Sequence, residues 1–254
     1  MLKAARDTWL IFQRSLMLTL RNPVWLFIGL LQPILYLAFF APLLDRIVTA
    51  PGFPPGGALN VFVPGLLIQL GLFGASFVGF GLIAEVRAGV VERMRVTPIT
   101  RTAMLFGRAL RDVAMLIAQS TILVVLAIPF GLKIGLGGAL LTLFLLALLG
   151  LVMAPMSYAA ALWLKSEDPL APFLNMVALP LLLLSGILLP MSLAPDWLQK
   201  IATVNPLSHA VNAMRAIFAG NYGDPELYWG LALTAILAAL SLWVAGRAFG
   251  RSQA

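Results

Sequence analysis

Apolar residues fill this chain in long runs, and the charged residues are gathered between them. Six segments carry no charge: 24–44, 61–84, 113–132, 134–164, 169–195 and 227–246. Each is long enough to cross a hydrocarbon layer of about 30 Å as a helix. The fourth and fifth exceed a straight span, so the pattern predicts that they tilt, break or extend into the interface. Residues 1–23 alternate differently, with Lys3, Arg6, Arg14 and Arg21 set among Trp9, Leu10, Phe12, Leu16 and Leu20. No small-residue cleavage site follows that charged start, so it reads as an interfacial amphipathic helix rather than a signal peptide. The expected architecture is therefore all-α and integral to the membrane, with six transmembrane helices filling residues 24–246 and a short tail at 247–254.

Between the second and third runs the pattern changes. Residues 85–111, EVRAGVVERMRVTPITRTAMLFGRALR, hold six arginines and two glutamates. Val86, Val90 and Met94 recur at spacing four, which predicts a short amphipathic helix with Glu85 and Glu92 on one face. Thr97 and Pro98 have the chemistry to end that helix and begin another, as N-cap and first helical residue. A second interruption follows the fifth run. The piece 201–214 between Lys200 and Arg215 is only weakly apolar and holds Asn205, Pro206, Ser208, His209 and Asn212. That composition argues against another crossing and predicts, over 190–215, a partly re-entrant hairpin plus an interfacial helix.

Composition sharpens the class. Hydrophobic residues make up 61% of 254, charged residues 11%, and mean hydropathy is +0.98, far from the values of soluble domains. Cysteine is absent and His209 is the single histidine, so thiolate sites, disulfides and clustered-histidine metal chemistry are excluded. The net charge of +7 is explained by placement, not by nucleic acid. With six spans both termini share a side with residues 85–111 and the turn 165–168, and that side collects thirteen of the 17 basic residues. The excess places those parts in the cytoplasm, at the cell (inner) membrane. Arg46, Lys133, Lys200 and Arg215 fall on the other side, and the proline- and glycine-rich stretch 45–60 is an external linker.

The interior of the runs excludes one mode of transport. Ion-driven carriers place ionisable groups inside their spans, where each is costly. Here none lies deep in a predicted span, and Asp112 sits at the edge of the third. A GxxxxGK[ST] loop is also missing; the glycines of GLFGASFVGFG at 71–81 lie within a span, with Gly71, Ala75 and Gly79 spaced for close helix packing. Energy for transport is thus expected from a separate partner.

Two stretches resemble a known family. Glu85, Gly89, Glu92-Arg93, Thr97-Pro98 and Gly107-Arg108 match the cytoplasmic loop of type-2 ABC export permeases. Ser185-Gly186, Pro190 and LAPDWLQKIATVNPLSHAVNAMR match their fifth span and its hairpin. The chain is most similar to the daunorubicin-resistance-like drug-export branch, and polysaccharide and glycolipid exporters share the plan. Val90-Val91 departs from the small or hydroxyl residue that many members carry there.

The resemblance implies a homodimer of this chain bound to two copies of an ABC ATPase, which alone would hold ATP and Mg. No cofactor, catalytic residue or metal site is expected here. It further implies that 85–95 is a coupling helix, with Glu85, Arg87, Gly89, Glu92, Arg93, Pro98, Gly107 and Arg108 as ATPase-coupling residues. Arg101, Arg108 and Arg111 also fit the plainer role of topology signals and headgroup contacts. The turn 165–169 is either a second ATPase contact or a solvated turn. Gln69, Phe73, Phe77, Asn175 and Ser185 are candidates for an amphipathic pathway. The expected function is the permease subunit of an ATP-driven exporter of a drug or lipid-like substrate, with drug efflux and antibiotic resistance as its setting. A polysaccharide or glycolipid export permease of the same family and an integral membrane lipid-modifying enzyme are the alternatives.

Overall fold

The computed structural model describes residues 2–21, 24–44, 57–95 and 99–251. Among these the secondary structure is helical throughout: α1 (Leu2–Leu20), α2 (Val24–Leu44), α3 (Ala58–Ser76), α4 (Gly79–Arg87), α5 (Val90–Arg95), α6 (Arg101–Ala127), α7 (Leu136–Leu164), α8 (Glu167–Leu183), α9 (Asp196–Ala202), α10 (Pro206–Phe218) and α11 (Pro225–Arg251). Short 3₁₀ turns follow α6 at Ile128–Phe130 and precede α9 at Met191–Leu193. Thr97, Pro98 and the linker 45–56 lie outside the described residues.

The bundle is built around α3, in which every residue from 61 to 72 is buried. It packs against α2, α6, α7 and α10. Close approach depends on small residues, as expected where lipid removes the hydrophobic drive between helices. A Cβ on Gly65 would lie 2.2 Å from the Ile187 carbonyl oxygen, and one on Gly71 would lie 2.6 Å from Leu149 Cδ2. The stripe Gly71, Ala75 and Gly79 therefore serves packing inside this chain, against α7 and Leu116 of α6. Past Ser76 the helix is interrupted for one turn. Ser157 of α7 spans the break, accepting from the Gly79 amide at 2.9 Å and donating to the Ser76 carbonyl.

Among the described residues, four helical stretches are long and apolar enough to cross a membrane: Ala58–Arg87, Thr102–Phe130, Leu136–Leu164 and Pro225–Gly250. A shorter apolar stretch, Leu26–Phe40, lies in α2. The fifth run does not stay helical to residue 195; α8 ends at Leu183 and turns through Ser185 and Gly186 (φ +74°). Within 190–215, where a partly re-entrant hairpin and an interfacial helix are expected, the structure has the short helix α9 and then α10 packed into the bundle. Residues Leu207, Ala210, Val211, Ala213 and Met214 of α10 are buried, and α10 packs against α3 and α11. Arg215 explains why it is held there, donating to the carbonyls of Val61 (3.2 Å) and Gly186 (2.6 Å). His209 has a structural place, with Nδ1 3.3 Å from Glu226 and Nε2 3.0 Å from the Thr203 carbonyl. Trp163, Trp197, Trp229 and Trp243 all expose more than half their surface, in keeping with an interfacial belt.

Candidate coupling site

The charged segment 85–111 does not open with one continuous amphipathic helix carrying Glu85 and Glu92 on one face. The helix entering it, α4, stops at Arg87 and a new one, α5, starts at Val90. Gly89 makes the break, with φ at +66°, a conformation that costs side chains with a Cβ about 1–2 kcal/mol. The freed end of α4 is closed by Arg93, whose guanidinium donates to the carbonyls of Gly89 (3.2 Å) and Ala88 (2.9 Å). Glu85 and Glu92 consequently sit on different helices instead of sharing a face. The periodicity of Val86, Val90 and Met94 hid this, because a single turn with positive φ leaves the spacing of its neighbours unchanged.

Beyond the undescribed residues 96–98 the chain enters α6, capped by Thr100, whose hydroxyl accepts from the Ala103 amide at 3.4 Å. From Arg101 the helix runs unbroken through Gly107 into the third apolar run. Gly107 is thus a packing glycine and not a bend. A Cβ there would lie 2.6 Å from Ile11 Cγ2 and 2.9 Å from the Thr8 carbonyl oxygen, both on α1. One helix therefore carries the charged segment and a membrane-crossing stretch together.

That continuity buries charges the sequence places at the margin. Arg108, only 3% exposed, forms an ion pair with Glu85 of α4. Arg111 lies 2.7 Å from Asp112 and reaches two further helices, donating to Thr19 of α1 and to the Tyr158 hydroxyl of α7, each at 3.2 Å. The Tyr158 hydroxyl in turn donates to Asp112. Its ring meets Phe249 of α11 edge-on at 6.5 Å. Asp112 is buried, eleven residues into α6, or about 16 Å along its axis. Arg108 and Arg111 are therefore internal ties rather than headgroup contacts. Tyr158 and Thr19 are the members of this network that sequence reasoning missed. Neither carries a charge, and only tertiary packing brings them to α6.

The other predicted coupling residues divide by exposure. Arg87 is solvent-facing and pairs with Glu167 at 3.1 Å, which joins the end of α4 to the start of α8 and so brings the turn 165–168 beside the charged segment. Arg93 is exposed next to it. Glu92 lies in α5, but its side chain, like Pro98, falls outside the described residues. Of the pathway candidates, Gln69, Phe73 and Phe77 follow one another along α3 and its end, with Phe73 and Phe77 stacked at 6.3 Å. Asn175 is half-buried on α8. The Ser185 hydroxyl is spent locally, donating to the Leu182 carbonyl and accepting from the Ile187 amide. A cavity of about 630 Å³ opens elsewhere, between the α6–α7 turn and the end of α10, and includes none of these five.

The chain is similar in sequence to several transport permeases. The daunorubicin resistance ABC transporter permease protein DrrB1 of Streptomyces coeruleorubidus is 27% identical over 240 residues, covering 89% of this chain and 78% of that protein. A putative transport permease, ycf38, of Cyanophora paradoxa is 26% identical over 216 residues, covering 84% and 74%. A probable doxorubicin resistance ABC transporter permease protein, DrrC, of Mycobacterium tuberculosis is 23% identical over 194 residues, covering 76% and 69%. The pattern of the ABC-2 type transporter family matches residues 6–219, from within α1 to the end of α10, and the chain belongs to that family.

Proposed function

We propose that this chain is the membrane subunit of an ATP-driven exporter of amphipathic compounds, drugs or lipid-like molecules, and that residues 85–95 dock on a separate ABC ATPase. In this reading two copies of the chain form the pathway and two ATPase subunits bind at the cytoplasmic face of the cell membrane. Six spans, with α2 and α8 joining the four longer helical stretches, leave both termini in the cytoplasm. The drug-resistance names of two relatives support the choice of cargo.

The observation that carries the proposal is the pairing of Glu85 with buried Arg108. It fastens the α4–α5 turn to a helix that continues into the membrane, so a push on α5 bears directly on α6. Arg87 and Arg93 stay exposed at the same turn, where carboxylates of a partner can reach them. Gln69, Phe73, Phe77, Asn175 and Ser185 remain the proposed pathway residues.

Co-purification with the ATPase, followed by measurement of hydrolysis, tests the docking. Glu92→Arg and Arg87→Glu are expected to weaken assembly or abolish stimulation of hydrolysis by the permease. Intact assembly and hydrolysis in both variants would overturn the coupling role.

A further inference from the structure

The junction between α3 and α4 is completed by one residue of α7. An unbroken α-helix would bond the Gly79 amide to the Ala75 carbonyl and the Phe80 amide to the Ser76 carbonyl. Here the backbone tightens instead, the Phe80 amide donating to the Phe77 carbonyl (3.2 Å) and the Gly81 amide to that of Val78 (3.1 Å), both at 3₁₀ spacing. That leaves the Gly79 amide and the Ser76 carbonyl without helical partners, and both residues are buried, where an orphan is costly. The Ser157 hydroxyl serves the two at once, accepting from the amide at 2.9 Å and donating to the carbonyl. Gly79 permits the approach: a Cβ there would lie 2.8 Å from Ser157 Oγ and 2.7 Å from its carbonyl oxygen.

We propose that residues 76–81 are a two-state joint, and that Ser157 is the positioning residue through which movement of α4 and α5 reaches α3. In the form of this structure the Ser157 hydroxyl holds the tightened turn. In the other form α4 rejoins α3 as one α-helix, the Gly79 and Phe80 amides return to Ala75 and Ser76, and the hydroxyl bonds the Met153 carbonyl of its own helix, as serines in helices do. Each of these polar groups has a partner in both forms, so the two are close in hydrogen-bonding energy, as a switch between discrete packings requires. A 3₁₀ turn advances about 120° per residue against about 100° in an α-helix, so the exchange turns α4 by roughly 20° for each residue converted. Glu85 and Arg87 turn with it, and their pairs with Arg108 and Glu167 mark the present form. Phe77 stacks on Phe80 at 6.0 Å and on Phe73 at 6.3 Å, so the same turn displaces the row of rings that holds two of the proposed pathway residues. The inference rests on the proposed docking of residues 85–95 on an ATPase.

The chain has no cysteine, so nitroxides on Ala84→Cys of α4 and Leu110→Cys of α6, both exposed positions, report the turn of α4 alone. The full-length labelled chain is diluted with unlabelled chain in nanodiscs, and the separation is read from dipolar broadening. Ser157→Ala is expected to shift it by about 5 Å, since a label about 5 Å from the helix axis turns by up to about 60°. Ser157→Thr keeps the hydroxyl and should keep the wild-type separation. Gly79→Ala disturbs the same contact from the other helix and should give the same new separation as Ser157→Ala. The wild-type separation in both variants, or two unrelated separations, overturns the joint. With the ATPase and ATP added, the wild-type chain should pass to the second separation. A bound ATPase that leaves the separation unchanged overturns the role of Ser157 in coupling. An ATPase that does not bind overturns the docking and not the joint, which the two variants decide.

Discussion

Arg108 and Glu85 are ion-paired across α6 and α4, with the arginine side chain 3% exposed and the glutamate 33% exposed. The asymmetry means that the two halves of the pair are not equivalent. Losing the glutamate's charge strands a buried cation, whereas losing both charges leaves a neutral contact.

Glu85→Gln is accordingly expected to lower stability by about 2 kcal/mol, below the roughly 3–5 kcal/mol of a fully buried pair because water reaches Glu85. The double change Glu85→Gln with Arg108→Met should recover most of that loss. Heat-induced loss of the monodisperse species in detergent measures both. A double variant no better than the single one would show that the pair is not the source of the effect.

Tyr158→Phe removes the hydroxyl that joins Asp112 and Arg111. The expected cost is about 1 kcal/mol, the scale of polar contacts between membrane helices. Asp112→Asn should cost more, since it leaves Arg111 without its carboxylate. Thermal inactivation curves in the same detergent rank the two.

Replacing Gly107 by leucine puts side-chain atoms where Ile11 and the Thr8 carbonyl now sit. A loss of about 1–3 kcal/mol and displacement of α1 are expected, as for overpacked cores. A disulfide between cysteines placed on α1 and α6 should then form poorly. Gly81→Ala is the control, because nothing lies within 4 Å of a Cβ at that position.

Gly89→Ala meets no steric obstacle, yet it must hold φ at +66°. The cost of about 1–2 kcal/mol therefore falls on the turn alone. Gly89→Asn should be milder, because asparagine tolerates the left-handed region. Stimulation of the partner ATPase and heat stability in detergent are both expected to fall in the order Gly, Asn, Ala.

The role of residues 85–111 was partly legible and partly not. Charge in an otherwise apolar chain marked the segment, and local chemistry marked its ends. Which arginines are exposed was not visible, because Arg87, Arg93, Arg108 and Arg111 are alike in sequence. Their difference comes from Glu85, Thr19 and Tyr158, which lie 23, 92 and 47 residues away and hold Arg108 and Arg111 inside, while the other two stay exposed.

By itself the sequence determined the all-helical membrane class, the principal apolar helices and the location of the charged segment. Those follow from length and hydropathy, which act over neighbouring residues. Only the tertiary structure decided that Gly107 is a packing glycine, that Asp112 is buried with a partner, and that Arg215 draws α10 into the bundle. Each of these depends on a partner distant in the chain: Ile11 against Gly107, Tyr158 for Asp112, the Val61 and Gly186 carbonyls for Arg215. A buried charge is tolerable only when such a partner is supplied, and no pattern within a single helix records which one it will be.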